Sequence, residues 1–566
     1  MKTQLIKLIT IGIFVLLSSC NSEVKQQEQP NILWLVAEDL SPCIAAFGDH
    51  RASTPNLDRL AKEGVVYTNV YSVSGVCSPS RATLATGVYA NSLGAHNMRT
   101  LFQQPAAKEK GIINYEAVPA ANVKMVSEIM RENRYYCTNN SKEDYQFFKS
   151  ELAWDESSIY AHWRNRPKGK PFFSVFNFMV THESNLWNPF GRIYDLDLFP
   201  LNRENKTWWK SFEGKTKPLF VDKHLEVEVP PYLPNSETAK SDMRRMYSNI
   251  VEMDKHMGRV LDQLKADGLL ENTIIVWYSD HGGPLPRQKR MLYDSGLHVP
   301  MIIRYPDKFR AGERDDRLIS FVDFAPTLLS MAGINSKYFM QGQAFEGKYK
   351  SETNRKYIHA HADRFDESYD MIRAVRDQRF KYLRNFQPEK GYYLPLDYRE
   401  NMATMKELLH MRDKGELNKI QMQWFRECKD NEELFDLQED PHEINNLANN
   451  LKYHDKLLEL RGECSSWMKQ IDDKGFIPEL ELIEQFYPNG ERQLTSEPIV
   501  NVKDNLVSIS CVTKGASLGY RYASHKAPSL GWNIYKNPIV VKQNDTLEVI
   551  AHRIGFKPAI IKYFNK

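Results

Sequence analysis

Apolar runs of strand length alternate with segments of helical periodicity along the first 350 residues or so. The first run, NILWLVA at 31–37, is followed at once by the acids Glu38 and Asp39. Similar buried strands are predicted at 171–180, 273–279 and 299–304. Because strands alternate with long helices, the pattern predicts a mostly parallel, doubly wound α/β sheet flanked by helices.

Two helices are predicted between these strands. Thr54 can cap a helix that begins at Pro55 and ends at Gly64. Apolar residues recur at helical spacing over 243–264, which is typical of a helix whose stripe packs into the core.

The pattern changes after about residue 350. Charged helical sequence around 400–428 leads to ELFDL at 433–437, and a helix is predicted over 450–471. Short strands are then predicted at 506–512, 519–523, 539–542, 546–552 and 559–564. We therefore expect three folded parts: an α/β domain over 31–350, a smaller α+β subdomain over 351–485 and a β-sandwich-like accessory module over 486–566.

The first 20 residues have the pattern of an export signal. Lys2 and Lys7 precede an apolar run over 8–17, which ends in Leu-Ser-Ser-Cys20. This resembles a bacterial lipoprotein signal, which implies a signal peptide over 1–19, lipidation of Cys20 and a polar tether over 20–30. The protein would then be anchored in the cell envelope of a Gram-negative bacterium, in the periplasm or at the outer-membrane surface. The alternative is an ordinary secretory signal that happens to end in cysteine.

Composition narrows the class of protein. Hydrophobic residues make up 42% and charged residues 26% of the chain, as in globular proteins. The net charge is only +3, from 75 basic and 72 acidic side chains, so no footprint for nucleic acid is present. The seven cysteines are widely spaced without a CxxC pair, which predicts neither a zinc site nor a dense disulfide framework.

One short segment carries distinctive chemistry: Cys77-Ser78-Pro79-Ser80-Arg81, followed by ATLATG. The proline and the residues after it predict a helix that starts just after Cys77. A helix N-terminus attracts anions, and Arg81 adds a fixed positive charge there. Taken alone, the segment could equally be a simple loop-to-helix turn.

With its neighbours, however, this segment resembles the formylglycine-dependent sulfatase family of the alkaline phosphatase-like superfamily, whose signature is C-x-P-S-R. TPNLDRLAKEG at 54–64 and ELFDL with Asp440-Pro441 also resemble family segments, so the resemblance covers about 31–450. It implies that a maturation enzyme oxidises Cys77 to formylglycine. One hydroxyl of the aldehyde hydrate would attack sulfur and displace the sugar alcohol. The other would then expel sulfate as the carbonyl re-forms. If Cys20 is lipidated and Cys77 converted, five cysteines remain, so at least one should be a buried free thiol.

The resemblance also implies a metal site. Glu38 and Asp39 match the family's first pair of ligands, and Asp280 and His281 in Ser-Asp-His-Gly match its second pair, beside residue Cys77. A mainly oxygen donor set suits Ca²⁺. Most relatives have Asp at the position of Glu38. Surface acids with a structural histidine would be the alternative.

Further catalytic residues are implied in the same way. Lys289, four residues before Tyr293, and His182, directly after a strand, match positions on the leaving-group side. The lysine would hold a sulfate oxygen, and the imidazole would protonate the departing alkoxide. Lys142 matches the lysine of the family's G-K-W-H segment, whose histidine is replaced here by Asp144, a candidate base.

Substrate contacts are less specific. His96, Arg99 and Arg364 lie in segments flanking the catalytic set and could contact sugar groups, although surface ion pairing explains them nearly as well. We expect a sulfated glycan, such as a glycosaminoglycan, mucin glycan or algal polymer. Two alternatives stay open: a phosphate or phosphonate monoester hydrolase of the same superfamily, and an inactive glycan-binding lipoprotein.

Overall fold

The computed structural model describes residues 29–98, 109, 111–188, 217–503, 505–523 and 531–564. The predicted signal peptide, Cys20 and Arg99 lie outside these residues. Within them, no helix is both long and apolar enough to cross a bilayer.

A nine-stranded sheet forms the centre of the molecule. Its strands are β1 (Asn31–Ala37), β2 (Val65–Tyr71), β3 (Tyr136–Asn140), β4 (Glu156–Ser157), β5 (Phe172–Phe178), β6 (Thr273–Ser279), β7 (His298–Arg304), β8 (Arg314–Asp315) and β9 (Ile319–Ser320). Their order is β4-β3-β5-β1-β6-β7-β2-β8, with β9 beside β2. All neighbours from β4 to β6 pair in parallel, whereas β7 is antiparallel to β6 and β2. The predicted mostly parallel sheet is confirmed.

Helices cover both faces of this sheet, and the core divides into two large apolar clusters. The helices of the described residues are α1 (Pro55–Glu63), α2 (Cys77–Thr86), α3 (Ala90–Leu93), α4 (Val126–Glu132), α5 (Glu237–Ala266), α6 (Asp294–Leu297), α7 (Phe324–Met331), α8 (Ala403–Lys414), α9 (Lys419–Met422), α10 (His454–Gln470) and α11 (Glu479–Phe486). The two helices predicted between the strands are α1 and α5.

Two details of the helix predictions were wrong. Thr54 precedes α1, but its side chain makes no capping hydrogen bond. The carboxylate of Asp254 on α5 does so instead, accepting from the backbone of Leu57 at 2.8 Å and of Asn56 at 3.2 Å. In addition, α2 starts at Cys77 itself and not just after it, which places the side chain of that residue on the first turn.

The C-terminal part contains three smaller sheets. The first is antiparallel, with β10 (Ile358–Ala362), β11 (Ile372–Arg376), β12 (Phe380–Asn385) and β13 (Glu432–Asp436) in that order. The last two contain β14 (Ile499–Lys503), β15 (Leu506–Ser510), β16 (Ser517–Tyr522), β17 (Asn533–Ile534), β18 (Ile539–Val540), β19 (Thr546–His552) and β20 (Ala559–Phe564). One apolar cluster joins them, with Val507 and Ile509 from one sheet and Leu547 and Val549 from the other. The two sheets thus pack face to face as a small sandwich.

Candidate active site

Four neighbouring parallel strands end at the same edge of the central sheet. Because β3, β5, β1 and β6 are adjacent in that order, the residues that follow them lie side by side. These residues are Lys142 after β3, His182 after β5, Glu38 and Asp39 after β1, and Asp280 and His281 after β6. The fold therefore brings six of the predicted site residues together.

Cys77 lies at the centre of this group and is fully buried. Its Sγ is 3.3 Å from His281 Nε2 and 3.9 Å from Glu38 Oε2. His281 Nε2 is 3.1 Å from Asp39 Oδ1, a buried oxygen with no hydrogen-bond partner among the described residues. The donor atoms of one set lie within 4.8 Å of one another: Asp39, Cys77, Asp280 and His281. Buried carboxylates with an unsatisfied oxygen and an imidazole fit a divalent metal ion.

Arg81 lies one helical turn after Cys77 and is fixed by three neighbours. Its Nε donates to Asp280 Oδ2 at 3.1 Å, its Nη1 to Asn177 Oδ1 at 2.8 Å, and its Nη2 to Glu38 Oε1. Sequence reasoning missed Asn177, whose signal is a polar residue near the end of an otherwise buried strand. Its own amide is fixed by Asn140, so the guanidinium has little freedom to move.

Lys289 and His182 lie beside the Asp39 carboxylate of this donor set. Lys289 Nζ donates to Asp39 Oδ2 at 2.6 Å and lies 3.3 Å from His182 Nε2. Ser184 fixes the opposite ring nitrogen of His182, with its Oγ 3.0 Å from Nδ1. The structure thus joins the two residues predicted on the leaving-group side.

Lys142 contacts two acidic residues of the site. Its Nζ donates to Glu38 Oε2 and lies 3.9 Å from Asp144 Oδ2. Asp144 Oδ1 accepts a 2.7 Å hydrogen bond from Ser78 Oγ, next to the predicted nucleophile. The role of Asp144 as a base stays a prediction, and its position is compatible with that role.

The site holds more acids than basic lysine and arginine side chains. Six acids meet four such cations here: Glu38, Asp39, Asp144, Glu183, Asp280 and Asp366 against Arg81, Lys142, Lys289 and Arg290. Burial raises the pKa of Asp39, but Lys289 and the two histidines outweigh burial and hold it well below its usual value. For Glu38 burial prevails over its cationic partners, and the pKa is raised. A divalent metal ion would offset this excess of negative charge and so make the site more favourable for an anion.

The electrostatics of His182 differ from the sequence-based expectation. Burial, followed by the charge of Lys289, lowers its pKa to about 3, so the ring is neutral at physiological pH. For His281, burial opposes protonation, but Asp280 and Asp39 raise the pKa to about 10. A bound cation favours the neutral ring, since metal and proton compete for the same nitrogen.

Comparison with known proteins identifies the family. The sulfatase family profile matches residues 30–334, more than half of the chain. The chain belongs to the sulfatase family. It is a sulfuric ester hydrolase, and the C-terminal profile of N-sulphoglucosamine sulphohydrolase also matches residues 287–427.

Individual sulfatases resemble this one over nearly all of its length. An ulvan-active sulfatase of Formosa agariphila is 53% identical over 95% of this chain and 91% of its own length. An N-acetylglucosamine-6-O-sulfatase of Bacteroides thetaiotaomicron is 23% identical over 82% of this chain and 91% of its own. A structure solved with D-glucosamine-2-N,6-O-disulfate covers 80% of this chain and all of its own at 20% identity, with a TM-score of 0.55, which supports the fold.

The sulfatase site contains a second ion pair that sequence reasoning missed. Glu183 accepts two hydrogen bonds from Arg290, at 2.9 and 3.0 Å, and Arg290 Nε donates to Asp366. The backbone of Glu183 also donates to Asp39 Oδ2 at 2.7 Å. Burial raises the pKa of Glu183, but Arg290 and then Lys289 lower it to about 2. The only available signal was adjacency to His182 and Lys289 in the chain.

The two predicted sugar contacts within the described residues differ. The Nδ1 of His96 is buried without a hydrogen-bond partner there, whereas Arg364 is paired with Glu479. His96 is buried and close to Asp363, and burial lowers its pKa. The backbone of Arg364 pairs with Met98. Its guanidinium donates to both oxygens of Glu479, at 2.6 to 3.1 Å, and is almost completely buried. Arg364 is thus an internal ion-pair residue in this structure, and its proposed contact with substrate has no support in this geometry.

Proposed function

We propose that this sulfatase removes sulfate esters from an ulvan-type sulfated polysaccharide, using formylglycine at position 77 and Ca²⁺. The substrate class is supported by the ulvan-active relative, which is 53% identical over almost the whole chain. The observation that carries the mechanism is the placement of Cys77. It begins a buried helix, in the C-x-P-S-R context, within 4.8 Å of the carboxylate and imidazole donors.

Calcium is supported by the donor chemistry. With Cys77 converted, three of the four donors would be oxygens, two carboxylates and a hydroxyl of the hydrated aldehyde, which hard cations prefer. The fourth donor is the imidazole of His281. Burial and the neighbouring carboxylates raise the pKa of Glu38, and a dication at the same oxygens would favour the ionised form. When bound, the ion would neutralise sulfate charge and orient the hydrated aldehyde of residue 77.

The remaining steps fall to fixed side chains. Arg81, held by Asp280 and Asn177, is available to bind a sulfate oxygen without reorganising. Lys289 would bind another oxygen and so direct its charge away from His182. Since that charge contributes to the low pKa of His182, substrate binding should raise the pKa of the ring, which then donates its proton to the sugar oxygen.

The cellular setting is part of the same proposal. The export pattern ending at Cys20 supports a lipid-anchored enzyme of the cell envelope, where large external polymers are accessible. Oxidation of Cys77 requires a formylglycine-generating maturation enzyme as a partner.

The test is co-expression with such a maturation enzyme, followed by mass spectrometry of the peptide that contains residue 77. We expect the mass of formylglycine together with sulfate release from ulvan oligosaccharides. Cys77→Ala and Cys77→Ser should fold but lose nearly all turnover. A phosphate ester preferred over the matching sulfate ester, or full activity in Cys77→Ala, would refute the proposal.

A further inference from the structure

A small cavity is lined on one side by Arg290, the partner of Glu183. Its volume is about 50 Å³, and Arg290, Phe365, Leu394 and Arg399 are among its lining residues. Leu394 and its neighbours at the rim are partly exposed, so the cavity opens towards the surface. Arg290 follows Lys289 in the chain, which places the cavity beside the reaction centre.

Arg399 is the unusual residue of this cavity. It is only 5% exposed, its Nη2 donates to the carbonyl of Leu394 at 2.7 Å, and its buried Nε has no hydrogen-bond partner among the described residues. Its guanidinium stacks between Tyr393 and Trp424, with centroid distances of 5.2 and 5.0 Å. Aromatic faces hold the cation in place, but they do not neutralise its charge.

The other charged residues of the cavity are compensated. Arg290 binds Glu183 and Asp366. The cavity's two acids are paired as well, Asp363 with Arg373 at 3.0 Å and Asp370 with Lys429 at 2.9 Å. Within the described part of the chain, no carboxylate forms an ion pair with Arg399. Burying a guanidinium without a counterion lowers the stability of the folded protein, unless an anion from solvent binds to it.

We propose that Arg399 binds an anionic substituent of the substrate, a carboxylate or a second sulfate, on the sugar next to the ester that is cleaved. The guanidinium fork matches the geometry of either group, and the cavity is large enough for one of them. Arg399 thus takes the part that the sequence assigns to Arg364, whose charge Glu479 already neutralises. This inference rests on the proposed glycan substrate.

The decisive variant is Arg399→Met, which keeps the apolar stem between the two rings and removes the charge. Two oligosaccharides are compared: a sulfated one that contains uronic acid, and its carboxyl-reduced form. For a carboxylate ligand, we expect the ratio of their kcat/KM values to fall by roughly tenfold to a hundredfold, the range for a lost charged hydrogen bond. Arg399→Lys should recover part of this preference. If the preference follows a second sulfate instead, selectively desulfated oligosaccharides will show the same fall.

Two controls separate binding from folding. Arg412→Met removes a guanidinium that also stacks on Tyr393, at 5.6 Å, but is paired with Asp413 and does not line the cavity. It should leave the substrate ratio unchanged. The Tm of Arg399→Met should equal or exceed that of the wild type, because a buried unpaired charge is removed. Equal losses on all substrates together with a lower Tm would mean that Arg399 is structural and would overturn the proposal.

A binding measurement keeps the test independent of turnover. Sodium glucuronate and sodium sulfate are titrated into the full-length protein, and the rise in Tm is recorded for the wild type and for Arg399→Met. We expect at least one anion to stabilise the wild type more than the variant, whose catalytic site can still bind sulfate. The same rise in both proteins, or no rise with either anion, contradicts the anion site even if the protein proves to be an active sulfatase.

Discussion

At the scale of single residues, the charged side chains of the site are held in position by hydrogen bonds to named partners. Asp39 illustrates this: Lys289 and the backbone of Glu183 hold one carboxylate oxygen, and the other, beside His281, is left without a hydrogen bond. An unsatisfied, buried oxygen is costly unless a ligand completes it. The same arrangement positions the groups and leaves an oxygen that a bound cation would complete.

Metal removal tests this reading directly. Chelation should abolish sulfate release and lower the Tm, because the bound ion stabilises only the folded state. Adding Ca²⁺ back should restore both. The measurement is aryl sulfate turnover and thermal unfolding before and after add-back. Restoration by Zn²⁺ but not by Ca²⁺ would show that the oxygen-donor argument is wrong.

His182 and Lys289 should affect the chemical step far more than binding. His182→Ala should lower kcat on a poor leaving group by roughly a hundredfold or more, and much less on 4-nitrophenyl sulfate, which needs no proton. A general acid acts only when protonated, so kcat for the poor leaving group should fall as pH rises through the pKa of the complex. His182→Ala should lose this limb. Lys289→Ala should slow both substrates, since the proposed role of the lysine is to bind the sulfate group that both share. A loss in His182→Ala that is equal for both leaving groups contradicts the acid role.

Arg364 should matter for stability rather than for sugar preference. Arg364→Ala leaves Glu479 without its bidentate partner, which should cost about 1 to 3 kcal/mol of unfolding free energy. Denaturant unfolding measures this, and kcat/KM for acidic and neutral oligosaccharides should change in parallel. A loss confined to acidic oligosaccharides would return Arg364 to the role of a sugar contact.

At the scale of elements, the loop after β6 must pack closely to bring Lys289 to the site. Gly282 directly follows Asp280 and His281, and a Cβ there would lie 2.3 Å from the carbonyl oxygen of Ser295. Backbone atoms cannot yield as a flexible side chain can, so the segment carrying Lys289 would have to move. The position of the lysine thus depends on a glycine seven residues earlier.

This dependence can be tested with a matched pair of glycine substitutions. Gly282→Ala should lower kcat by roughly a hundredfold, since even a small misplacement of a catalytic group slows the reaction strongly. Gly462→Ala, in the middle of α10 with open space around it, should keep full activity and stabilise the protein by about 0.5 to 1 kcal/mol. Full activity in Gly282→Ala would show that the loop tolerates the shift.

At the scale of the whole molecule, the terminal β-sandwich is docked onto the catalytic part through α4. Arg131 on that helix donates to the carbonyls of Leu152 and Trp532 and pairs with Asp155 at 3.0 Å. Trp532 packs with Leu152 in a separate apolar cluster. The sandwich therefore shares a buried interface with the sulfatase domain.

Loss of the Arg131 contacts should weaken the packing of the sandwich against the catalytic domain. Arg131→Ala leaves buried carbonyls without donors and should cost about 1 to 3 kcal/mol. Limited proteolysis should then release a C-terminal fragment earlier than in the wild type. Arg521→Ala is the control, because Arg521 stacks on the same tryptophan from the exposed side and should contribute less than about 1 kcal/mol. Identical cleavage of the Arg131 variant and the wild type would mean that other contacts hold the sandwich.

The sequence by itself determined the central sheet and the composition of the site. The run over 31–37 can be buried only as an interior strand, and polar residues directly after such strands must emerge at one edge of a parallel sheet. The predicted ends of β1, β6, β19 and β20 agree with the structure for the same reason. Local patterning is sufficient where hydrophobic burial alone decides the outcome.

Only the tertiary structure decided which polar groups are neutralised. Arg364 and Arg399 are both buried, yet one pairs with a carboxylate 115 positions away and the other lies between aromatic rings. The helix cap supplied by Asp254 and the low pKa of His182 are also set by partners distant in the chain. Charge compensation depends on distances of a few ångströms between remote segments, because Coulomb and desolvation energies change steeply with separation and burial. No local pattern encodes those distances.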